Sequence, residues 1–253
     1  RAVLDRPGAL RPEDALVLFT SGSTGEPKGI PLSAGNIDYF LDWSTRLLDF
    51  TEDDAIPNLA PLGFDLSILD ILGAWRAGAR VELFPAEAAY APEDLCERLA
   101  GEFTFLYAAP SLLMHLQNKG GLAGKLANGR LKRLVYAGES YTVAELKKLW
   151  GAAPAVYNFY GPTETNVCAF HRVREADLAG EAIAIGKAPD GTRLSLLEGE
   201  IVVRGPGVMR GYLGGEPAAG EFRTRDRAAL DAEGNLVFRG RADRQVKIRG
   251  YRV

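Results

Sequence analysis

The sequence predicts an α/β protein of mostly parallel sheet layers and helices, followed by a small antiparallel, β-barrel-like subdomain. Three observations predict it. Short apolar runs alternate with segments of helical periodicity from residue 15 to about residue 160, the pattern of βαβ units. Near Glu181 this gives way to short strand-like runs cut by Gly, Pro and Asp, which read as a small antiparallel sheet or barrel. The length of 253 residues suits one large domain or two small ones. Residues 1–175 are therefore read as the α/β core and 176–241 as the β-rich part.

In chain order, Ala15–Thr20 is a short apolar run ending in a Gly/Ser/Thr loop and reads as a buried strand. Ser33 is the expected N-cap of a helix reaching Leu48, with Ile37, Phe40 and Leu41 on its inner face. Strands are expected at Ala55–Leu59 and Arg80–Phe84, with a helix at Leu66–Ala77 between them. Phe103–Tyr107 is the next strand, and Ser111 is expected to cap a helix to about Asn118. Leu131–Ala137, the helix Val143–Trp150 and the strand Ala155–Phe159 complete the first part. In the second part, short strands are expected at Ile183–Ile185, Arg193–Leu197, Glu200–Arg204 and Leu236–Arg239.

Composition excludes several classes. The net charge is −3 with acidic and basic residues intermixed, so no basic stripe suggests nucleic acid or an anionic membrane surface. No apolar run approaches the roughly 20 residues that span a bilayer. Two cysteines, Cys96 and Cys168, imply no disulfide framework and fit a reducing cytoplasm. Neither they nor His115 and His171 have zinc-ligand spacing. The chain starts without Met and stops inside an expected strand, so a piece of a longer protein is expected.

The strongest local signal is Thr20-Ser21-Gly22-Ser23-Thr24-Gly25, followed by Lys28. Glycines and hydroxyl residues here expose backbone N–H groups and small donors that can wrap phosphate oxygens, and the ammonium supplies charge. The spacing is neither that of the usual P-loop nor that of a nucleophile elbow.

This loop resembles the phosphate-binding motif of the adenylate-forming superfamily, which holds adenylation domains, acyl-CoA synthetases and luciferases. Four further segments resemble that superfamily in its order: Tyr160-Gly161-Pro162-Thr163-Glu164; Gly199-Glu200-Ile201 through Gly211-Tyr212; Phe222-Arg223-Thr224-Arg225-Asp226; and Gly240-Arg241-Ala242-Asp243 through Gly250. The resemblance implies that Thr20, Ser21, Gly22, Ser23, Thr24, Gly25 and Lys28 hold the outer phosphates of ATP. It implies that Thr163 touches the α-phosphate and that Glu164 helps hold Mg²⁺, a hard cation that takes oxygen ligands. It assigns Asp226 and Arg241 to the ribose. Gly138, Glu139, Ser140, Asn158, Phe159 and Tyr160 are assigned to the adenine, although Phe159 also reads as a core aromatic. Residues 242–253 are implied to be the hinge, centred on Asp243, that leads to a C-terminal lid. One departure stands out. Arg225 occupies a position where the superfamily usually has glycine, and it is expected to pair with Asp226 or to contact phosphate.

Phe64-Asp65-Leu66-Ser67 resembles the Phe-Asp-x-Ser segment of amino-acid-activating domains, where the aspartate holds the substrate's ammonium. A carboxylate facing an apolar pocket without a cation would be costly. The alternative is that Asp65 caps the helix that follows. The resemblance places the substrate pocket at Asp65, Leu66, Leu69, Tyr107, Val135, Ala137, Phe159, Val167 and Cys168. This set is similar to that of ligases that load L-proline on carrier proteins. It implies ATP-dependent activation of a small amino acid and transfer to the phosphopantetheine of a carrier protein. A CoA ligase for a small acid and a non-catalytic nucleotide-binding module are the rival readings.

Overall fold

The computed structural model describes residues 10–20, 27–243, 247–248 and 251–252. The expected phosphate-loop residues Ser21, Gly22, Ser23, Thr24 and Gly25 therefore lie outside the described residues.

The first strand, β1 (Asp14–Thr20), pairs antiparallel with β2 (Lys28–Ser33), with Thr20 opposite Lys28. Helix α1 (Ala34–Leu47) follows directly. Its first turn is closed by a reciprocal cap. The Asn36 amide donates to the Ser33 hydroxyl at 3.1 Å, and the Ser33 amide donates to Asn36 Oδ1 at 2.9 Å. Ile37, Phe40, Leu41 and Trp43 recur at helical spacing and are buried.

β3 (Ala55–Asn58) and β4 (Arg80–Leu83) are parallel neighbours, as a strand–helix–strand unit requires. The connecting helix is one continuous run with a wider segment inside it: α2 (Leu66–Ile68), a π turn over Leu69–Gly73, then α3 (Ala74–Ala77), which ends on Gly78 in the left-handed conformation. α4 (Pro92–Glu102), which periodicity leaves unassigned, packs against β5 (Phe105–Ala108) through Leu95, Leu99 and their neighbours. α5 (Pro110–Gly120) starts on Pro110, and Ser111 does not cap it. The Ser111 amide instead donates to Glu139 Oε2 at 2.8 Å, so a side chain from another loop satisfies that free N–H. α6 (Leu122–Leu126), β6 (Arg133–Ala137), α7 (Val143–Leu149) and β7 (Ala155–Tyr160) follow.

β5, β6 and β7 are parallel, and β8 (Ala169–Arg172) closes that sheet antiparallel to β7. Its two faces bury two cores. One holds α4 to α7. The other holds α1, the π turn and the rings of Tyr107 and Phe159.

The second part is an open four-stranded antiparallel sheet, in the order β12, β11, β10, β9, rather than a closed barrel. Its strands are β9 (Arg193–Leu197), β10 (Glu200–Arg204), β11 (Glu221–Leu230) and β12 (Leu236–Arg241). Ile183–Ile185, expected as a strand, is irregular backbone. Only single bridges at Gly186 and Lys187 tie the neighbouring residues to β12 and β8. β11 is longer than any strand the sequence suggested here. Its inward residues include Thr224, Asp226 and Ala228, so alternation of burial is present without the apolar alternation that marks a strand. Two short strands, β13 (Lys247–Ile248) and β14 (Tyr251–Arg252), pair antiparallel at the end. Among the described residues no helix is long and apolar enough to cross a membrane.

Candidate active site

A cavity of about 790 Å³ opens at the carboxyl ends of β5 and β6. Ligand crevices form there in parallel sheets, and the volume falls in the usual range for small-molecule sites. Its walls bring together residues far apart in the chain: Thr20 from β1, Asp65 and Leu66 from the start of α2, Tyr107 from β5, Ala137 and Gly138 after β6, and Thr163 and Val167 after β7. Each was expected from the sequence to touch either nucleotide or amino acid.

The rest of the expected substrate set does not line the cavity. Leu69, Val135 and Phe159 are fully buried in the core behind the wall. Phe159 meets Tyr107 edge-on at 6.1 Å and Trp43 at 5.5 Å. It also faces the opposite side of β7 from Asn158 and Tyr160, because strand side chains alternate. It is therefore a core aromatic behind the part of the wall that Tyr107 and Ala137 present. Cys168 belongs to another core, with Ile185 and Ile201, whereas its neighbour Val167 packs in the core that holds Phe159 and Tyr107. Burial pushes its thiol up to about 12, as suits a packed side chain.

Asp65 is half-buried at the first turn of α2. Its carboxylate makes no capping hydrogen bond there, so helix capping does not account for it. Tyr107 is fully buried on the adjoining wall. Burial raises its hydroxyl well above the ordinary tyrosine range, and the charges of Asp65 and Asp70 add to that.

The residues expected at the nucleotide are linked by hydrogen bonds. Asp226 is buried on β11, where it accepts from the Tyr160 hydroxyl at 2.7 Å and from the Arg241 guanidinium. Arg241 also grips Asp243, through Nε at 2.7 Å and Nη2 at 3.0 Å. The expected ribose and hinge residues are thus one connected group. Burial, then the charge of Asp226, drives the Tyr160 hydroxyl well above its ordinary value, which keeps it a neutral donor.

Arg225 does not pair with Asp226. Its guanidinium lies 3.9 Å from Asp243, and its amide donates to Glu200 Oε1 at 2.9 Å. Its φ of +61° lies in the left-handed region, which explains why the resembling sequences place glycine there.

Glu164 is buried, and the Tyr212 hydroxyl donates to it at 2.9 Å. The Lys28 ammonium stands over the Tyr212 ring at 5.2 Å. Tyr212 therefore bridges Glu164 and Lys28, bringing a carboxylate and an ammonium together at the start of β2. Glu164 supplies one carboxylate to this corner, and among the described residues no cluster of three metal-ligating side chains adds to it, so a hard cation here would take its other oxygens from phosphate and water. Tyr212 had no role in the sequence reading beyond its motif. Its contact with Glu164 spans 48 positions and leaves no local signal.

Gly161 makes the bend possible. A Cβ there would lie 1.8 Å from the Asn166 carbonyl oxygen. Only glycine lets residues 161–167 fold back and present Thr163 and Val167 to one cavity. Glu139 sits beside Gly138 and, as noted, caps α5, while Asn158 donates to the Ala184 carbonyl at 2.9 Å and ties β7 to the second part. Ser140 is exposed on the same loop as Gly138.

A family model described as AMP-binding enzyme matches residues 3–213. The chain belongs to this family. Among curated members, this AMP-binding chain is 39% identical over 261 residues to an L-proline–[L-prolyl-carrier protein] ligase of Pseudomonas fluorescens, a match covering 97% of the chain and 52% of the relative. It is 36% identical to the ligase of that name from Streptomyces coelicolor, over 97% of the chain and 51% of the relative. The chain thus spans about half the length of the curated relatives it matches. Among solved structures it is similar to holo-PA1221, an NRPS protein containing adenylation and PCP domains. The TM-score is 0.80 at 31% identity, covering 95% of this chain and 46% of that one.

Proposed function

We propose that the protein to which this chain belongs activates a small amino acid, L-proline first, as its aminoacyl-adenylate, and then loads it on a carrier protein. The observation that carries the reading is Asp65: a carboxylate without a capping role, in the wall of a largely apolar cavity that also presents Thr163 and Gly138. An acyl or aryl acid would leave that charge without a partner, at considerable cost. An amino acid supplies the ammonium. The names of the Pseudomonas and Streptomyces relatives support proline.

In the first half-reaction the substrate carboxylate attacks the α-phosphorus of ATP. A carboxylate–phosphorus bond forms, the bond to the β-phosphate oxygen breaks, and pyrophosphate leaves. The chain's own contribution is positioning and charge neutralisation. Asp65 fixes the ammonium, Thr163 donates to the α-phosphate, Lys28 faces the outer phosphates, and Asp226 accepts from the ribose hydroxyls. Glu164, oriented by Tyr212, would hold Mg²⁺, which offsets charge on the phosphates. In the second half-reaction a phosphopantetheine thiolate attacks the acyl carbon. The C–S bond forms and AMP departs. Leu66, Ala137 and Val167 offer no polar partner for a side-chain amide or second charge, which favours a compact apolar ring. We place the enzyme in the cytoplasm, where two buried thiols stay reduced.

The test is ATP–pyrophosphate exchange by the whole protein across the twenty amino acids. Fastest exchange with L-proline supports the reading. Faster exchange with D-alanine, L-valine or an aryl acid overturns proline. Thioester formation on CoA but not on a phosphopantetheinylated carrier domain overturns carrier loading.

A further inference from the structure

Residues 209–213 form a strap that joins the two segments carrying the charges expected at the outer phosphates. The Met209 amide donates to the Glu164 carbonyl at 2.8 Å, and the Leu213 amide donates to the Gly29 carbonyl at 2.9 Å. Between them, Arg210 grips Asp14 of β1 through Nε at 2.9 Å and Nη2 at 2.6 Å. Gly29 lets the strap come close, since a Cβ there would lie 2.7 Å from the Leu213 side chain. Tyr212 is therefore held by its backbone neighbours on both sides, at one end to β2 and at the other to the segment of Glu164.

Its half-buried side chain meets two opposite charges. The Lys28 ammonium stands over the ring face, 5.2 Å from the centroid, and the hydroxyl donates to Glu164 Oε1 at 2.9 Å. A cation is drawn to the face of an aromatic ring, whereas the phenolic O–H points outward in the ring plane. One side chain thus holds the two charges in different directions. An ammonium and a carboxylate in one corner attract each other, and a direct pair would neutralise the charge that a polyphosphate and its cation require. Phenylalanine at 212 would offer the ring face without the donor, and leucine would offer neither.

We propose that Tyr212 is the positioning residue of the outer-phosphate subsite: its ring seats the Lys28 ammonium, its hydroxyl orients the Glu164 carboxylate, and together they keep the two charges from pairing with each other. This rests on the proposed ATP-dependent activation. No bond is made or broken at Tyr212. Lys28 stays available to the outer phosphate oxygens, and Glu164 is held in one orientation toward the cation that accompanies them. Anchoring of the strap to both segments makes the arrangement rigid before ATP arrives, which is what a preorganised charge site needs.

The experiment is calorimetric binding of ATP and AMP to the whole enzyme, with and without Mg²⁺. Tyr212→Phe keeps the seat of Lys28, so metal-free ATP affinity should stay within about twofold of the parent. The gain in ATP affinity on adding Mg²⁺ should fall about tenfold, because the hydrogen bond that orients Glu164 is gone. Tyr212→Leu also removes the ring and should lower metal-free ATP affinity by about threefold to fivefold more. AMP lacks the outer phosphates, and its affinity should stay within about twofold in both variants, which a merely structural role would not spare. In a Lys28→Ala background the step from Phe to Leu should disappear, and in a Glu164→Gln background Tyr212→Phe should leave the Mg²⁺ effect unchanged. If Tyr212→Leu does not fold, Tyr212→Phe and the Glu164→Gln cycle decide. A Tyr212→Phe enzyme with the parent's Mg²⁺ gain, equal losses of ATP and AMP, or a Phe-to-Leu step that survives without Lys28 overturns the proposal while leaving amino-acid activation intact. A parent enzyme that binds no ATP overturns the proposed function, and this inference with it.

Discussion

Replacing Asp65 with alanine separates the two roles that the sequence left open for it. Removing one partner of a fully buried ion pair costs roughly 3–5 kcal/mol. Asp65 is only half-buried, and solvent near the cavity mouth screens part of its charge, so the expected loss is about 2–3 kcal/mol. At about 1.4 kcal/mol per decade this is roughly a 30- to 150-fold loss in kcat/KM for the amino acid. The side chain makes no capping bond, so the fold should not register its removal. Losing a working cap would cost about 1 kcal/mol, or about 2–4 °C in a domain of this size. The assay pairs proline-dependent pyrophosphate exchange with calorimetric ATP binding and a thermal melt. The expected result is a large loss of exchange, unchanged ATP affinity and an unchanged Tm. A Tm lowered by several degrees with exchange retained would return Asp65 to helix capping and refute the reasoning.

Three further outcomes are expected. Lys28→Ala should weaken ATP much more than AMP, because its ammonium lies at the phosphate end beside Tyr212 and Glu164, whereas Asp226→Ala should weaken both alike. Calorimetry showing equal ATP and AMP losses for Lys28→Ala would contradict this assignment. Asp54 ties β3 to β5 and β6. Burial alone would raise its pKa, but the Thr104 hydroxyl, the Thr51 amide, Lys132 and Arg133 bring it down to about 2 from 3.8. A depressed folded-state pKa gives stability that is present above pH ~4 and lost as the pH falls through ~2, here about 2 kcal/mol. Melts between pH 5 and 2 should show a shallower acid loss in Asp54→Asn than in the parent, and identical slopes would remove Asp54 from the account. Gly161→Ala should not fold to the native state, because its Cβ would overlap the Asn166 carbonyl. A soluble variant with the parent's Tm would show that the 161–167 bend is not required.

Much of this was written locally. The cap Ser33 with Asn36, the parallel strands of the first part and the segment Tyr160–Glu164 depend on near neighbours, because turns, caps and amphipathic faces are set by residues a few positions apart. The same holds for the cavity wall at Asp65, Leu66, Tyr107, Ala137 and Val167, which motif order located and the fold assembled. The sequence by itself thus determined most of the strand–helix order of the first part and the family, and it named the residues expected to carry the chemistry. Tertiary structure alone decided which of them share a surface. Cys168 and Phe159 pack away from the cavity, Phe159 because alternation along β7 sends adjacent residues to opposite faces, and a list of positions does not say which side meets the cavity. Arg225 pairs with Asp243 rather than with adjacent Asp226 because the left-handed turn redirects its side chain. Tyr212 on Glu164, Arg241 on Asp226 and the buried acid Asp70 in the π turn became visible only in three dimensions. Burial and long-range hydrogen bonding depend on which distant segments the core brings together, and no window of neighbouring residues encodes that.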